Sequence, residues 1–266
     1  MTYEKLKIAS EDGVAVITLS DPATMNAAGV DMAEQLHDAL KQLTAPGASA
    51  RAIVLTGEGR GFCSGANLQS GPATRAPGSD GRPDAGSALE TVYNPLVTFV
   101  KEMAVPLVTA VNGPAAGVGC SLALLGDIVV AAESAYFLQA FRRIGLIPDG
   151  GSTYMLPRAI GKARAMEMAL LGERVPAAKA LEWGLINRCV PDAELMPTAL
   201  AIAGELAKGP ASLGLIRQTI WASLDSEWAE QLDRERKGQA IAGKTADFAE
   251  GVSAFLQKRP ANFQGR

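Results

Sequence analysis

The sequence predicts an α/β fold, in which apolar strands alternate with amphipathic helices. Two observations predict it. A strand, a glycine-containing turn, a short helix and a second strand follow one another in residues 105–132, which read VPLVTAVNGPAAGVGCSLALLGDIVVAA. A further apolar strand, at the start of AIVLTGEGRGFCSGANL in residues 52–68, runs into a loop that carries four glycines.

Periodicity and turn residues predict the other elements in chain order. We expect a hairpin over 4–20 with its turn at 11–13, helices over 31–43 and 89–102, strands over 107–111 and 128–132, helices over 162–171, 177–183 and 192–208, a short strand within 185–190, and helices from 211 onward. The predicted division is an α/β core over 1–195 and a helical oligomerisation region over 196–266.

Composition narrows the class of protein. The 266 residues have a hydrophobic fraction of 48% without a run long enough to span a bilayer, and the first ten residues lack the basic and apolar blocks of a secretion signal. The net charge of −3 disfavours nucleic acid as a partner. The three cysteines are too few and too scattered for a disulfide framework or a zinc site. We therefore expect a cytoplasmic protein without a metal, a membrane or a nucleic-acid partner.

The single histidine excludes several mechanisms. His37 lies beside the apolar stripe formed by Met32, Leu36, Leu40 and Leu43 in the helix predicted over 31–43. This position predicts a surface residue, so a hydrolase that depends on a Ser-His or Cys-His pair has little support.

The glycine-rich turns are candidate binding elements. A strand that enters a helix through glycines leaves backbone N–H groups without intrahelical partners, and these suit an anion or a polarised carbonyl. Such junctions are also ordinary features of α/β proteins, so the pattern by itself leaves both interpretations open. The loop over 69–89, rich in glycine, proline and serine, is compatible with an active-site flap or with a passive insertion.

Taken together, four segments resemble the crotonase superfamily, the enoyl-CoA hydratase/isomerase family. They are AIVLTGEGRGFCSGANL, AVNGPAAGVGCSLALLGDIVVAA, the stretch from FRRIGLIPDGG to LINRCV, and the terminal GVSAFLQKRP. The resemblance implies the crotonase fold, a spiral of ββα units with a helical C-terminal trimerisation region. It also implies a homotrimer or a hexamer built as a dimer of trimers.

The same resemblance implies an acyl-CoA thioester substrate, whose coenzyme A is part of the substrate, and no separate cofactor. The thioester oxygen would be held by the backbone N–H groups of Ala66 and Val118, the latter preceded by Gly117. The implied contacts to coenzyme A come from Ala23, Met25, Ser64, Asn67 and Leu68. Lys258 either reaches the nucleotide end, across a subunit boundary, or is a solvated terminal lysine.

The acid and base positions depart from the hydratase pattern. The two glutamates that activate water in hydratases correspond here to Ser121 and Phe141, and neither is an acid. The remaining acid is Asp149 in the turn IPDGG, which resembles the turn of ring-1,2-epoxyphenylacetyl-CoA isomerases within the family. Proline, aspartate and glycine also favour a turn by themselves. Phe141 and Leu146 are expected to form an apolar wall that raises the pKa of Asp149.

The expected function is that of an acyl-CoA isomerase with Asp149 as its one catalytic carboxylate. It would shift a 3-enoyl double bond to the 2-enoyl position, or rearrange an epoxidised aromatic acyl-CoA, through an enolate. A hydratase and a non-catalytic acyl-CoA binding protein remain alternatives. Arg142 and Arg143, between Phe141 and the turn, are expected to be solvated rather than to face the substrate.

Overall fold

The computed structural model describes residues 2–67, 78, 80–82 and 84–266. The strands are β1 Leu6–Glu11, β2 Val14–Leu19, β3 Ala52–Gly57, β4 Leu107–Val111, β5 Pro114–Ala116, β6 Ile128–Ala132, β7 Tyr136–Leu138, β8 Val175–Pro176 and β9 Arg188–Val190. The α-helices are α1 Val30–Leu43, α2 Asn94–Glu102, α3 Val118–Leu124, α4 Ser152–Leu171, α5 Ala177–Glu182, α6 Leu195–Ala207, α7 Ser212–Ser223, α8 Trp228–Ala242 and α9 Ala246–Gln257. A π-helix over Leu89–Tyr93 precedes α2, and 3-10 turns lie at Pro22–Thr24, Ala140–Ile144 and Asp192–Glu194.

The main sheet has six strands in the order β1-β2-β3-β4-β6-β9. The predicted hairpin forms its antiparallel edge, and the other neighbouring strands pair in parallel. Every residue of β3 and β4 is buried. Parallel strands covered on both faces need apolar side chains throughout, which explains why these segments are continuous apolar runs without alternation.

A second layer of short strands lies beside the main sheet. β5, β7 and β8 form a three-stranded sheet, and Cys63 joins this layer through a parallel bridge to Ala115. A main-sheet strand, a short second-layer segment and a helix therefore recur along the chain, as in β4-β5-α3 and β6-β7-α4. This recurrence matches the spiral of ββα units implied by the resemblance.

Helix α6 packs on the main sheet. It contacts β2, β3, β4 and β6, and Ala199, Ala203 and Ala207 on its inner face are buried. Small side chains four residues apart let the helix backbone approach the strands closely. The predicted division of the chain at residue 195 stays a prediction, but α6, which follows it, belongs to the packed core.

Two details differ from the sequence predictions. Helix α4 begins at Ser152 and not near Lys162, since a non-helical Gly161 (φ 76°, ψ 161°) and an internal Pro157 interrupt the pattern that reveals its first half. His37 is half-buried and not a surface residue, because its ring packs 5.3 Å from that of Phe99. Burial lowers the pKa of His37.

Within the described ranges, no single helix is long and apolar enough to cross a membrane, although the bent pair of residues 192–207 and 212–223 passes the same test of length and composition. In that part of the chain, no three His, Cys, Asp or Glu side chains are grouped so that they could hold a metal ion. The three cysteines are free thiols.

A buried ion pair attaches the C-terminal helices to the core. The Nε of Arg217, in α7, donates to Oδ2 of Asp127 at 2.7 Å. The same guanidinium donates to the carbonyl oxygens of Val100 and Lys101 near the end of α2. Asp127 also accepts from the N–H of Leu107, at the start of β4. One arginine thus joins α7, α2 and the main sheet.

We predict that Arg217→Met lowers the free energy of unfolding by about 3 kcal/mol, because the substitution removes the cationic partner of the Asp127 carboxylate and the side-chain donor to the carbonyls of Val100 and Lys101. Urea denaturation followed by circular dichroism at one protein concentration measures the change. The control is Lys179→Met, since Lys179 pairs with Glu182 on an exposed face of α5 and its loss should cost less than about 1 kcal/mol. Equal losses in the two variants would contradict the prediction.

Candidate active site

The two glycine turns lie side by side because the segments before them are paired. Cys63 and Ala115 form the parallel bridge, and the N–H of Ala116 donates to the carbonyl of Cys63 at 2.9 Å. Just beyond the bridge, Gly65 has φ 105° and Gly117 has φ 54°, values that favour glycine. A Cβ on Gly65 would lie 3.0 Å from the carbonyl oxygen of Ala116, so a larger residue would also push the turns apart.

In each turn a backbone N–H group, that of Ala66 or that of Val118, has no acceptor among the described residues. Ala66 and Val118 each lie three residues beyond a residue of the bridge. Neither N–H donates a hydrogen bond to any described residue. Val118 is the first residue of α3, where an intrahelical acceptor does not exist. The pairing therefore puts two available donors at the same level of two adjacent parallel segments.

Hydrogen bonds to the carbonyl oxygens fix the orientation of the two peptide groups that carry these donors. The carbonyl of Gly65, which shares a peptide plane with the Ala66 N–H, accepts from the N–H of Ala28 at 2.8 Å. The carbonyl of Gly117 accepts from the N–H of Cys120 at 2.9 Å. Because the peptide group is planar and trans, holding each carbonyl directs the N–H to the opposite side.

The turn that carries Asp149 packs directly against the start of α3. A Cβ on Gly150 would lie 2.8 Å from Cβ of Ser121 and 3.4 Å from Cγ2 of Val118. The hydroxyl groups of Ser121 and Ser152 donate to the backbone carbonyl of Asp149 at 2.9 and 2.8 Å. These contacts place the aspartate beside the helix that presents the Val118 donor.

The carboxyl group of Asp149 has one oxygen without a stabilising hydrogen bond from the described residues. Its Oδ1 is buried and accepts no hydrogen bond from any described residue. Burial raises the pKa of Asp149 to about 6. Such a group exchanges a proton near neutral pH, which a general base that later acts as an acid has to do.

The two positions that the resemblance assigns to hydratase glutamates, Ser121 and Phe141, hold residues without an acid group. Ser121 is fully buried, and its hydroxyl is committed to the Asp149 backbone. Phe141 is buried, with Cζ 3.9 Å from where a Cβ on Gly117 would lie, so it forms an apolar wall against the turn. Leu146, expected in that wall, is 38% exposed and lies at its rim.

Four of the residues expected to contact coenzyme A come from two segments that meet. The N–H of Ser64 donates to the carbonyl of Met25 at 3.0 Å, in the segment that also carries the exposed Ala23. On the other side, a Cβ on Gly29 would lie 3.4 Å from Cβ of Asn67. Leu68, also expected to contact coenzyme A, and most of the loop over 69–89 lie outside the described residues.

Lys258 makes no hydrogen bond or ion pair with the described residues that are expected to contact coenzyme A. It is exposed at the C-terminal end of α9, and its side chain makes no hydrogen bond or ion pair with a described residue. Arg142 and Arg143 are not simply solvated, because their guanidinium groups donate to the carbonyls of Leu171 and Gly172 at the end of α4.

Sequence reasoning missed two buried polar residues that organise the site. Asn26, with φ 56°, donates from Nδ2 to the carbonyls of Glu58 and Gly61 and so joins the loops before α1 and after β3. Tyr93 donates its hydroxyl to the carbonyl of Ala28 at 2.7 Å. The available signal was weak: an asparagine among small residues in a loop, and a tyrosine within an apolar helix pattern.

The chain matches the family model of enoyl-CoA hydratase/isomerase over residues 9–266. It is 46% identical to the 1,2-epoxyphenylacetyl-CoA isomerase of Escherichia coli K12, over 96% of this chain and 97% of that one. It is 44% identical to a protein of Rhodobacter capsulatus named "Probable enoyl-CoA hydratase", over the whole of both chains.

Solved structures agree with the sequence relatives. The crystal structure of an enoyl-CoA hydratase from Polaromonas sp. JS666 superposes with a TM-score of 0.88 at 32% identity, over 97% of this chain and 99% of that one. Both glycine turns, the ββα spiral and the C-terminal helices lie inside the matched region. The chain has the crotonase fold and belongs to the enoyl-CoA hydratase/isomerase family.

Proposed function

We propose that the chain is an acyl-CoA isomerase that uses Asp149 as its single acid-base residue and the N–H groups of Ala66 and Val118 as an oxyanion hole. The observation that carries the proposal is Oδ1 of the half-buried Asp149, which is buried without a hydrogen-bond partner among the described residues, in a turn that packs against Val118. The raised pKa, about 6, suits a group that must accept and return a proton.

The proposed reaction moves one proton. With a 3-enoyl-CoA, the carboxylate of Asp149 removes a proton from C2, and the electron pair moves onto the thioester oxygen to form a dienolate. The two N–H groups stabilise that oxyanion. The protonated carboxyl of Asp149 then donates the proton to C4, which leaves the double bond between C2 and C3. No water is consumed, so one carboxyl group suffices.

Phe141 supports an isomerase more than a hydratase. Hydration needs a water held by acids over the double bond, and an aromatic ring next to Gly117 disfavours water there. The isomerase named among the relatives supports the same direction and makes rearrangement of an epoxidised aromatic acyl-CoA the second candidate reaction. A hydratase remains an alternative because the Rhodobacter capsulatus relative carries that name. A protein that only binds acyl-CoA is the alternative from another class.

We predict that Asp149→Asn lowers turnover of a 3-enoyl-CoA by roughly 10²–10⁴-fold, because the amide can neither accept nor return the proton. The ultraviolet absorbance of the conjugated 2-enoyl thioester measures the rate. The matched control is Asp12→Asn, an exposed aspartate in the β1–β2 turn with φ 48°, a conformation that asparagine also adopts.

Equal rates in wild type and Asp149→Asn would remove this residue from the mechanism. A wild type that converts a 2-enoyl-CoA to the 3-hydroxy product faster than it isomerises a 3-enoyl-CoA would favour the hydratase. Binding of both thioesters without exchange of their C2 protons into D2O would favour the protein that only binds.

The pH dependence follows from the same carboxyl group. The base is the deprotonated form, so kcat/KM should be constant above pH 7 and fall tenfold per pH unit well below an apparent pKa of about 6. A steady-state pH profile with a 3-enoyl-CoA checks this. An acidic limb near pH 4, the ordinary range of an exposed aspartate, would contradict the role of burial.

We also propose that α7–α9 form the interface of a homotrimer, alone or within a dimer of trimers. These helices line an apolar groove of about 860 Å³. Phe255 and Leu256 are 83% and 74% exposed, and Phe248 is 55% exposed. Apolar patches of this kind mark association surfaces.

We predict that Phe255→Asp dissociates the oligomer, because it places a charge in the buried apolar interface. Light scattering after size-exclusion chromatography measures the mass. Leu181→Asp on α5 is the control, since Leu181 is exposed but does not line this groove. A wild type that is monomeric, or a Phe255→Asp variant of unchanged mass, would contradict the proposed interface.

A further inference from the structure

Tyr93 is a buried residue near the proposed site whose hydroxyl is used inside the protein. It ends the π-helix over Leu89–Tyr93, and the hydroxyl donates to the carbonyl of Ala28 at 2.7 Å. Single π-turns frequently occur at functional sites, because the wider turn changes the direction of a side chain. Burial raises the pKa of Tyr93 to about 12, with a smaller contribution from the charge of Asp149, so the hydroxyl keeps its proton.

Ala28, whose carbonyl accepts from the Tyr93 hydroxyl, also makes a hydrogen bond to the Gly65 turn. The N–H of Ala28 donates to the carbonyl of Gly65 at 2.8 Å. That carbonyl and the N–H of Ala66 belong to one planar peptide group and point in opposite directions. Fixing Ala28 from its other side therefore fixes the direction in which Ala66 presents its donor.

The second donor does not need such support. The carbonyl of Gly117 accepts from the N–H groups of Cys120 and Ser121, which belong to the same helix as Val118. Helix α3 therefore holds the Val118 peptide group locally. Ala66 and Asn67 are not helical, and the carbonyl of Gly65 accepts from the N–H of Ala28, which comes from a separate segment.

We propose that Tyr93 is a positioning residue of the oxyanion hole, which acts through Ala28 to aim the Ala66 N–H at the thioester oxygen of an acyl-CoA. The inference rests on the proposed function, because it requires an acyl-CoA thioester between Ala66 and Val118. Tyr93 itself contacts no reacting atom in this scheme. Its removal should therefore weaken carbonyl polarisation and turnover more than binding.

The test is Tyr93→Phe, read by the infrared carbonyl stretch of bound butanoyl-CoA labelled with 13C at the thioester carbon. Wild type should lower this frequency relative to the free thioester, and Tyr93→Phe should lower it less. Loss of a whole oxyanion donor costs about 10²–10³ in kcat, so a misdirected donor should cost on the order of tenfold. KM for a 3-enoyl-CoA should change little, because binding through coenzyme A is retained.

The matched control is Tyr3→Phe. The Tyr3 hydroxyl also donates at 2.7 Å, but to the carboxylate of Asp38 at the surface. This variant should keep the wild-type frequency and kcat. A Tyr93→Phe enzyme with the wild-type frequency, or with a change in KM alone, would overturn the inference.

Three further outcomes distinguish this inference from the proposed function. If Tyr93→Phe does not fold, 4-fluorophenylalanine at position 93 fills the space of the hydroxyl without donating a hydrogen bond, and a wild-type carbonyl frequency there overturns the inference. If wild type does not shift the carbonyl at all, the oxyanion hole and the inference fail together. A carbonyl shift that Tyr93→Phe reduces, combined with full activity of Asp149→Asn, would refute the proposed base and still support the role of Tyr93.

Discussion

The parallel pairing of Cys63 with Ala115 is the constraint on which the candidate site depends. It aligns two segments that are separated by about fifty residues in the sequence, so that their glycine turns begin at the same level. The planar peptide groups in those turns then have their carbonyls held by hydrogen bonds on one side and their N–H groups available on the other. A site made of backbone donors requires this kind of support, because no side-chain rotamer can correct a misplaced peptide.

Two aspartates that are partly or fully removed from solvent have pKa values shifted in opposite directions: the pKa of Asp247, near the C-terminus, is lowered, and that of Asp149, in the candidate site, is raised. Burial alone would raise the pKa of Asp247, but its carboxylate accepts from the N–H groups of Ala211, Gln264, Gly265 and Arg266, and the net effect is a lowered pKa. Asp149 has its backbone carbonyl held by two serines, while Oδ1 of its carboxyl has no partner among the described residues. The first arrangement stabilises an ion and holds the C-terminal residues in place. The second keeps a proton exchangeable, at a cost in stability that is typical of functional groups.

The residues that support the site come from distant parts of the chain. Asn26 joins the loop before α1 to the loop after β3, and Tyr93 reaches the first of these from the π-helix before α2. Ser121 contributes through its hydroxyl to the position of the Asp149 turn, although its place in the family pattern belongs to an acid in hydratases. A residue without an acid group can therefore still contribute to the site, here by holding the backbone of the Asp149 turn.

The sequence by itself determined the strands at 107–111 and 128–132, the helix ending at Leu43 and the hairpin, because their hydrophobic periodicity and turn residues are local signals. From the motifs of the family it also singled out both glycine turns and predicted Asp149 as the catalytic base. The first half of α4 escaped because Pro157 and Gly161 break the local pattern, while packing against the core holds the helix. Only the tertiary structure decided which N–H groups lack partners, that Arg142 and Arg143 cap α4, and that Tyr93 reaches Ala28, because each of these facts depends on residues far apart in the chain.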